Sequence, residues 1–71
     1  MKLHYYPETD SLYVEFQKRA GVETRELLPG LVVDLDENGR PVGLDIDHAS
    51  QFLDLSAVET VGMPPAESRR S

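Results

Sequence analysis

Gly30-Leu31-Val32-Val33-Asp34-Leu35-Asp36-Glu37-Asn38-Gly39-Arg40-Pro41-Val42-Gly43-Leu44-Asp45-Ile46 is the stretch that decides the fold. Apolar and polar residues alternate on both sides of Asn38-Gly39. That dipeptide favours a two-residue type I′ hairpin turn, because both residues tolerate the positive φ it demands. The turn sets the register. Leu35 then faces Val42, Val33 faces Leu44 and Leu31 faces Ile46, while Asp34, Asp36, Asp45 and Asp47 fall on the other face. A slip of one residue would send the aliphatic side chains to solvent, so the register is well specified. Pro41 has no N–H to offer a further strand, which predicts an edge position for residues 41–47.

Upstream, the same test succeeds around Pro7-Glu8-Thr9-Asp10. A four-residue loop there pairs Tyr5 with Leu12, Leu3 with Val14 and Met1 with Phe16, and sets His4 opposite Tyr13 and Lys2 opposite Glu15 on the polar side. Between the hairpins, residues 22–28 predict a further strand joined to the next by Leu28-Pro29-Gly30-Leu31, with proline and glycine placed for a type II turn. This register sets Arg25 opposite Asp34 and Leu27 opposite Val32, and it turns Glu26 inward beside Val33. A bulge near Glu26 or a rim position removes that conflict.

Beyond Ile46 the period changes. Asp47 is placed to cap a short helix over residues 48–53, with Ala49, Phe52 and Leu53 on one side. Ser56-Ala57-Val58-Glu59 repeats a capping pattern and predicts another turn or two. Together these patterns predict an α+β domain: an antiparallel meander sheet of about five short strands with a short C-terminal helix packed on one face. Residues 1–61 form a single compact domain and residues 62–71 a flexible C-terminal tail. The expected core is Met1, Leu3, Tyr5, Leu12, Val14, Phe16, Val22, Leu31, Val33, Leu35, Val42, Leu44, Ile46, Phe52 and Leu53.

Seventy-one residues allow one hydrophobic core, and a core this small leaves a thin margin over the entropy of ordering the chain. With no cysteine to form a disulfide, self-association is the simplest way to widen that margin. Thirteen acidic against seven basic residues give a net charge of -6, which disfavours nucleic acid as a partner. No apolar run approaches the roughly 18 residues of a membrane span, so the expected setting is cytoplasmic, with no membrane partner.

Tyr6-Pro7-Glu8-Thr9-Asp10-Ser11-Leu12-Tyr13-Val14, then residues 30–46 and Ala49-Ser50, resemble a family of small prokaryotic proteins known only as a domain of unknown function (family 2283). The resemblance covers residues 3 to about 53, and its specificity lies in the order and separation of two hairpin motifs. It implies a compact sheet with a C-terminal helix and no established activity; it also implies companionship with neighbouring small proteins, toxin-like ones included. Where this chain has Tyr6 the family more often has aspartate, so the first loop must be held otherwise, with Asp10 the candidate.

Three sets of residues invite functional readings. Asp34-Leu35-Asp36-Glu37-Asn38-Gly39 matches half of a calcium loop with Asp45 at the closing position, but Pro41 and the absence of flanking helices argue against an EF-hand. Strand alternation still gathers Asp34, Asp36 and Asp45 on one face, a candidate divalent-cation site whose plain alternative is a solvated face with Arg25 as counter-ion. His4 and His48 have no nucleophile or orienting acid in view, so no catalytic residue, no cofactor and no enzyme is expected. Tyr13, Leu27 and Val32 place apolar surface on the polar face, a candidate dimer or partner face. The expected function is therefore a small acidic non-enzymatic binding module, a homodimer contacting a protein partner through its sheet face. Two alternatives stand beside it: a cation- or small-ligand-binding protein using Asp34, Asp36 and Asp45, and a toxin-neutralising companion of a basic small protein.

Overall fold

The computed structural model describes residues 1–64. In chain order it contains β1 (Lys2–Tyr6), β2 (Ser11–Glu15), β3 (Glu23–Leu28), β4 (Leu31–Leu35), β5 (Pro41–Ile46) and α1 (Ala49–Phe52). All five strands form one antiparallel sheet in the order β1-β2-β5-β4-β3. The α+β architecture is as expected, but the sheet departs from a simple meander because β2 pairs with β5. Residues 16–22 make the crossing from β2 to β3. Seven residues reach up to about 23 Å, and three strand spacings need only about 14 Å. Gly21 lets the crossing lie close against β4, since a Cβ there would stand 3.2 Å from the Asp34 Cβ.

β5 is thus central, and the edge position expected from Pro41 is overturned. Proline is tolerated because no neighbour asks for its N–H. The β2–β5 ladder ends at Glu15 and Gly43. Beyond it, the Phe16 and Gln17 amides both donate to the Val42 carbonyl, at 2.9 and 3.3 Å. The Gln17 side-chain amide donates to the Pro41 carbonyl at 3.0 Å.

The decisive hairpin keeps its predicted register, with Val33 opposite Leu44 and Leu31 opposite Ile46, but reaches it by a different turn. Asn38 does not take a positive φ; only Gly39 is left-handed, at 78°. Residues 37–39 form a three-residue loop closed by Gly39 N–H to Asp36 O and Asp36 N–H to Arg40 O, both 2.9 Å. A bulge then compensates. Leu35 faces Pro41 while Asp34 faces Gly43, so Val42 is the extra residue that restores the register. The expected Leu35–Val42 pair is therefore replaced.

β1 and β2 pair as predicted from Lys2 with Glu15 to Tyr6 with Ser11. In β3 the anticipated bulge falls at Leu27, so Leu28 faces Leu31 but every earlier pair shifts by one. Glu26 moves to the polar face opposite Val32. Arg25 moves to the aliphatic face opposite Val33, and its guanidinium lies 3.2 Å from Glu23, not beside Asp34.

α1 is a four-residue helix, and Asp47 does not cap it. Its entry residue His48 adopts φ 54°, and the Asp47 amide donates to the Gly30 carbonyl at 2.8 Å. Ala49 is fully buried against Leu12 and Ile46, with Val14, Leu31, Leu44 and Leu55 around them. The turn or two expected to start at Ser56 does not form over residues 57–60; a turn falls instead at Leu55-Ser56, where Asp54 accepts from the Ser56 amide and hydroxyl. Of the expected tail, residues 65–71 lie outside the described residues.

The core is smaller than predicted. Leu12, Leu35, Val42 and Ile46 are buried, and Val14, Phe16, Leu31, Val33 and Leu44 half-buried. Met1, Leu3, Tyr5, Val22, Phe52 and Leu53 are exposed instead. A helix of four residues cannot cover a face five strands wide, and edge strands have a neighbour on one side only.

Candidate functional site

Cross-strand register arranges the polar face in two rows. One runs Lys2, Glu15, Gly43, Asp34, Thr24; the other runs His4, Tyr13, Asp45, Val32, Glu26. Tyr13 leaves its row diagonally. Its ring lies over Gly43, the position where any side chain would collide with the phenol, and its hydroxyl donates to Asp34 Oδ2 at 2.8 Å. That hydrogen bond, with burial and the nearby carboxylates, pushes the Tyr13 pKa up to about 12. Sequence reasoning missed this arrangement. The available signal was Gly43 inside a strand pattern, which marks a close approach.

The three candidate metal ligands are not brought together. Asp36 is 6 % exposed and belongs to the β4–β5 turn, where one carboxylate oxygen accepts from the Asn38 and Arg40 amides at 2.8 and 2.9 Å. Its other oxygen accepts from Arg19 at 3.0 Å. These bonds hold its carboxyl below the usual carboxylate range, led by the Arg40 amide. Asp34 is engaged by Tyr13. Asp45 stands exposed in the next row with its pKa raised, first by desolvation and then by the charges of Asp47 and Asp34. Among the described residues, no three His, Cys, Asp or Glu side chains gather in a cluster that could hold a metal ion.

Nor do Tyr13, Leu27 and Val32 merge into one patch. Asp45 stands between Tyr13 and Val32, and Glu26 lies beyond Val32. Leu27 is the bulged residue of β3, 54 % exposed. The larger apolar surface is on the helix side. There Leu28, Pro29, Gly30, Leu31, Ile46, Phe52 and Leu53 line a groove of about 230 Å³, with no charged side chain among the described residues that line it. Phe52 is 69 % exposed along it.

Asp10 holds the first loop, as expected, and its link from that loop to the helix was missed from sequence. Asp10, in the left-handed conformation at φ 54°, accepts from the Tyr5 hydroxyl at 2.7 Å, the Ser50 hydroxyl at 2.7 Å and the Ser50 amide at 3.1 Å. Its carbonyl accepts the Ala49 amide at 2.8 Å. Asp10 therefore supplies the cap expected of Asp47, and it also holds the first loop. The hydrogen bonds from Tyr5 and then Ser50 lower its carboxyl pKa. The separation of forty residues left no local pattern to read. His4 lies 3.8 Å from Glu15, and His48 forms the helix entry.

Among the described residues, no helix is long and apolar enough to cross a membrane. No curated protein and no solved structure matches the chain. A family model described as a protein of unknown function (DUF2283) matches residues 2–50. That span exceeds half of the chain and takes in all five strands and the start of the helix, so this protein belongs to the DUF2283 family.

Proposed function

We propose that the chain is a non-enzymatic protein-binding module that works as a homodimer and meets its protein partner through the helix-bearing side of the sheet. One observation carries this. Among the described residues only five apolar side chains are buried, while twelve large ones are exposed, Leu28, Phe52 and Leu53 together along one uncharged groove. So small a core gains most from covering that surface, and contiguous apolar surface on a small domain marks contact with another chain. The proposed setting is the cytoplasm, where structural disulfides are rare and a cysteine-free chain is at no disadvantage. Light scattering at tens of micromolar tests self-association: twice the chain's 8.0 kDa is expected, and 8.0 kDa removes the homodimer.

The toxin-neutralising alternative keeps one supporting observation. Asp45 feels the charges of Asp34 and Asp47, and a basic surface would relieve them. It predicts a basic small protein, encoded beside this one, whose binding weakens steeply as salt rises. Salt-independent binding, or none, counts against it.

A further inference from the structure

The two edges of the sheet differ. β3 carries Glu23, Arg25 and Glu26 and is broken by the bulge at Leu27, devices that discourage pairing with another chain. β1 pairs with β2 through five successive residues without a shift, and among the described residues its outer row of N–H and C=O groups has no strand beside it. Its middle, Leu3-His4-Tyr5, holds no proline, glycine or carboxylate, and Lys2 is its one formal charge. On a chain of net charge -6, this is the edge where a second copy meets the least like charge.

Building on the self-association proposed above, we infer that two copies pair antiparallel through β1, centred on His4, into one continuous ten-stranded sheet. A two-fold axis through that pair makes the contact self-complementary. His4 faces the partner's His4, Leu3 faces the partner's Tyr5, and Lys2 faces the partner's Tyr6. Leu3 and Tyr5 continue the aliphatic face beyond Val14 and Leu12, and they are 52 % and 44 % exposed where that face ends at β1. Pairing covers both. Centring on Leu3 instead would set Lys2 against the partner's His4 and leave Tyr6 unpaired. Centring on Tyr5 would bring Pro7, which has no N–H, into the ladder. The groove beside Leu28 and Phe52 lies toward the far edge and stays open for a partner.

Because the chain has no cysteine, single cysteines can map the contact. Directly opposed residues of antiparallel strands have Cβ atoms about 4.5–5.5 Å apart, within a small adjustment of disulfide range. Under mild oxidation His4→Cys is expected to migrate on a non-reducing gel at twice the chain's 8.0 kDa and to return to single mass with reductant. Arg25→Cys on β3 and Phe52→Cys in the groove are expected to stay single. Light scattering of the unsubstituted chain judges self-association separately. A doubled mass there, with cross-linking at Arg25→Cys or Phe52→Cys and not at His4→Cys, keeps the dimer and overturns the β1 edge. Equal cross-linking at all three positions overturns it too.

Discussion

Replacing Gly43 with alanine tests whether the Tyr13 phenol organises the polar face. An alanine Cβ would collide with the Tyr13 hydroxyl and stand 3.1 Å from its Cε1, so the ring must leave and the bond to Asp34 is lost. A hydrogen bond to a charged group contributes about 1.5–3 kcal/mol. Against this, alanine reduces the entropy of the unfolded chain and returns about 0.4–1 kcal/mol. Net destabilisation of about 1–2 kcal/mol is expected, lowering Tm by roughly 4–8 °C per kcal/mol in a domain of this size. The sign should reverse once the ring is gone. In a Tyr13→Val background Gly43→Ala is expected to stabilise by up to ~1 kcal/mol, a coupling of about 2 kcal/mol between the two positions. Urea unfolding of the four proteins in the cycle measures it. If Gly43→Ala costs the same in both backgrounds, within about 0.5 kcal/mol, the phenol does not occupy the glycine's face and the reasoning fails.

Absorbance at alkaline pH should show one tyrosine ionising near pH 12, abolished by Tyr13→Phe and moved back toward 10 by Asp34→Asn. Because that pKa is raised on folding, its stabilising contribution is complete below pH 10 and is lost as pH rises from 10 through about 12, so Tyr13→Phe should flatten the stability profile there. Asp36→Asn and Asp45→Asn should have opposite signs in thermal unfolding at pH 7. Asp36, whose pKa is lowered by amides and Arg19, contributes stability that is lost only as pH falls through its folded value, whereas Asp45, whose pKa is raised, is strained by ionisation at neutral pH. A Tm that Asp36→Asn leaves unchanged would contradict the assignment of Asp36 to the turn, and one that Asp45→Asn lowers would contradict the strain at Asp45. Asp10→Ala should remove hydrogen-exchange protection from the Ser50 amide, which donates to the Asp10 carboxylate, while leaving the β4–β5 ladder protected. Unchanged protection at Ser50 would mean that the Asp10 carboxylate is not the cap.

The three hairpins were legible because turn residues and period-two alternation are local. Asn38-Gly39 and Pro29-Gly30 place the turns, and Leu31, Val33, Leu44 and Ile46 admit one register between β4 and β5. Even the wrong turn type left that register intact, since the three-residue loop and the Val42 bulge together amount to the same offset as a two-residue turn. What alternation could not reveal is where it breaks. The bulge at Leu27 moved Arg25 away from Asp34, and the loop at residues 37–39 took Asp36 off the carboxylate face and buried it among its own turn's amides. Both breaks follow from backbone hydrogen bonds that change no residue type.

By itself, then, the sequence determined an acidic α+β domain, its hairpins, which side chains share a face in most strands, and a family likeness. Only the tertiary structure decided that β5 lies between β2 and β4, that Asp10 caps a helix forty residues away, that Tyr13 covers Gly43, and that the open apolar surface is on the helix side. The physical reason is range. Pairings within a hairpin are selected by neighbours a few residues apart. Which strand lies against the outer side of β5 depends on the total surface that each arrangement buries, a quantity that no local pattern contains.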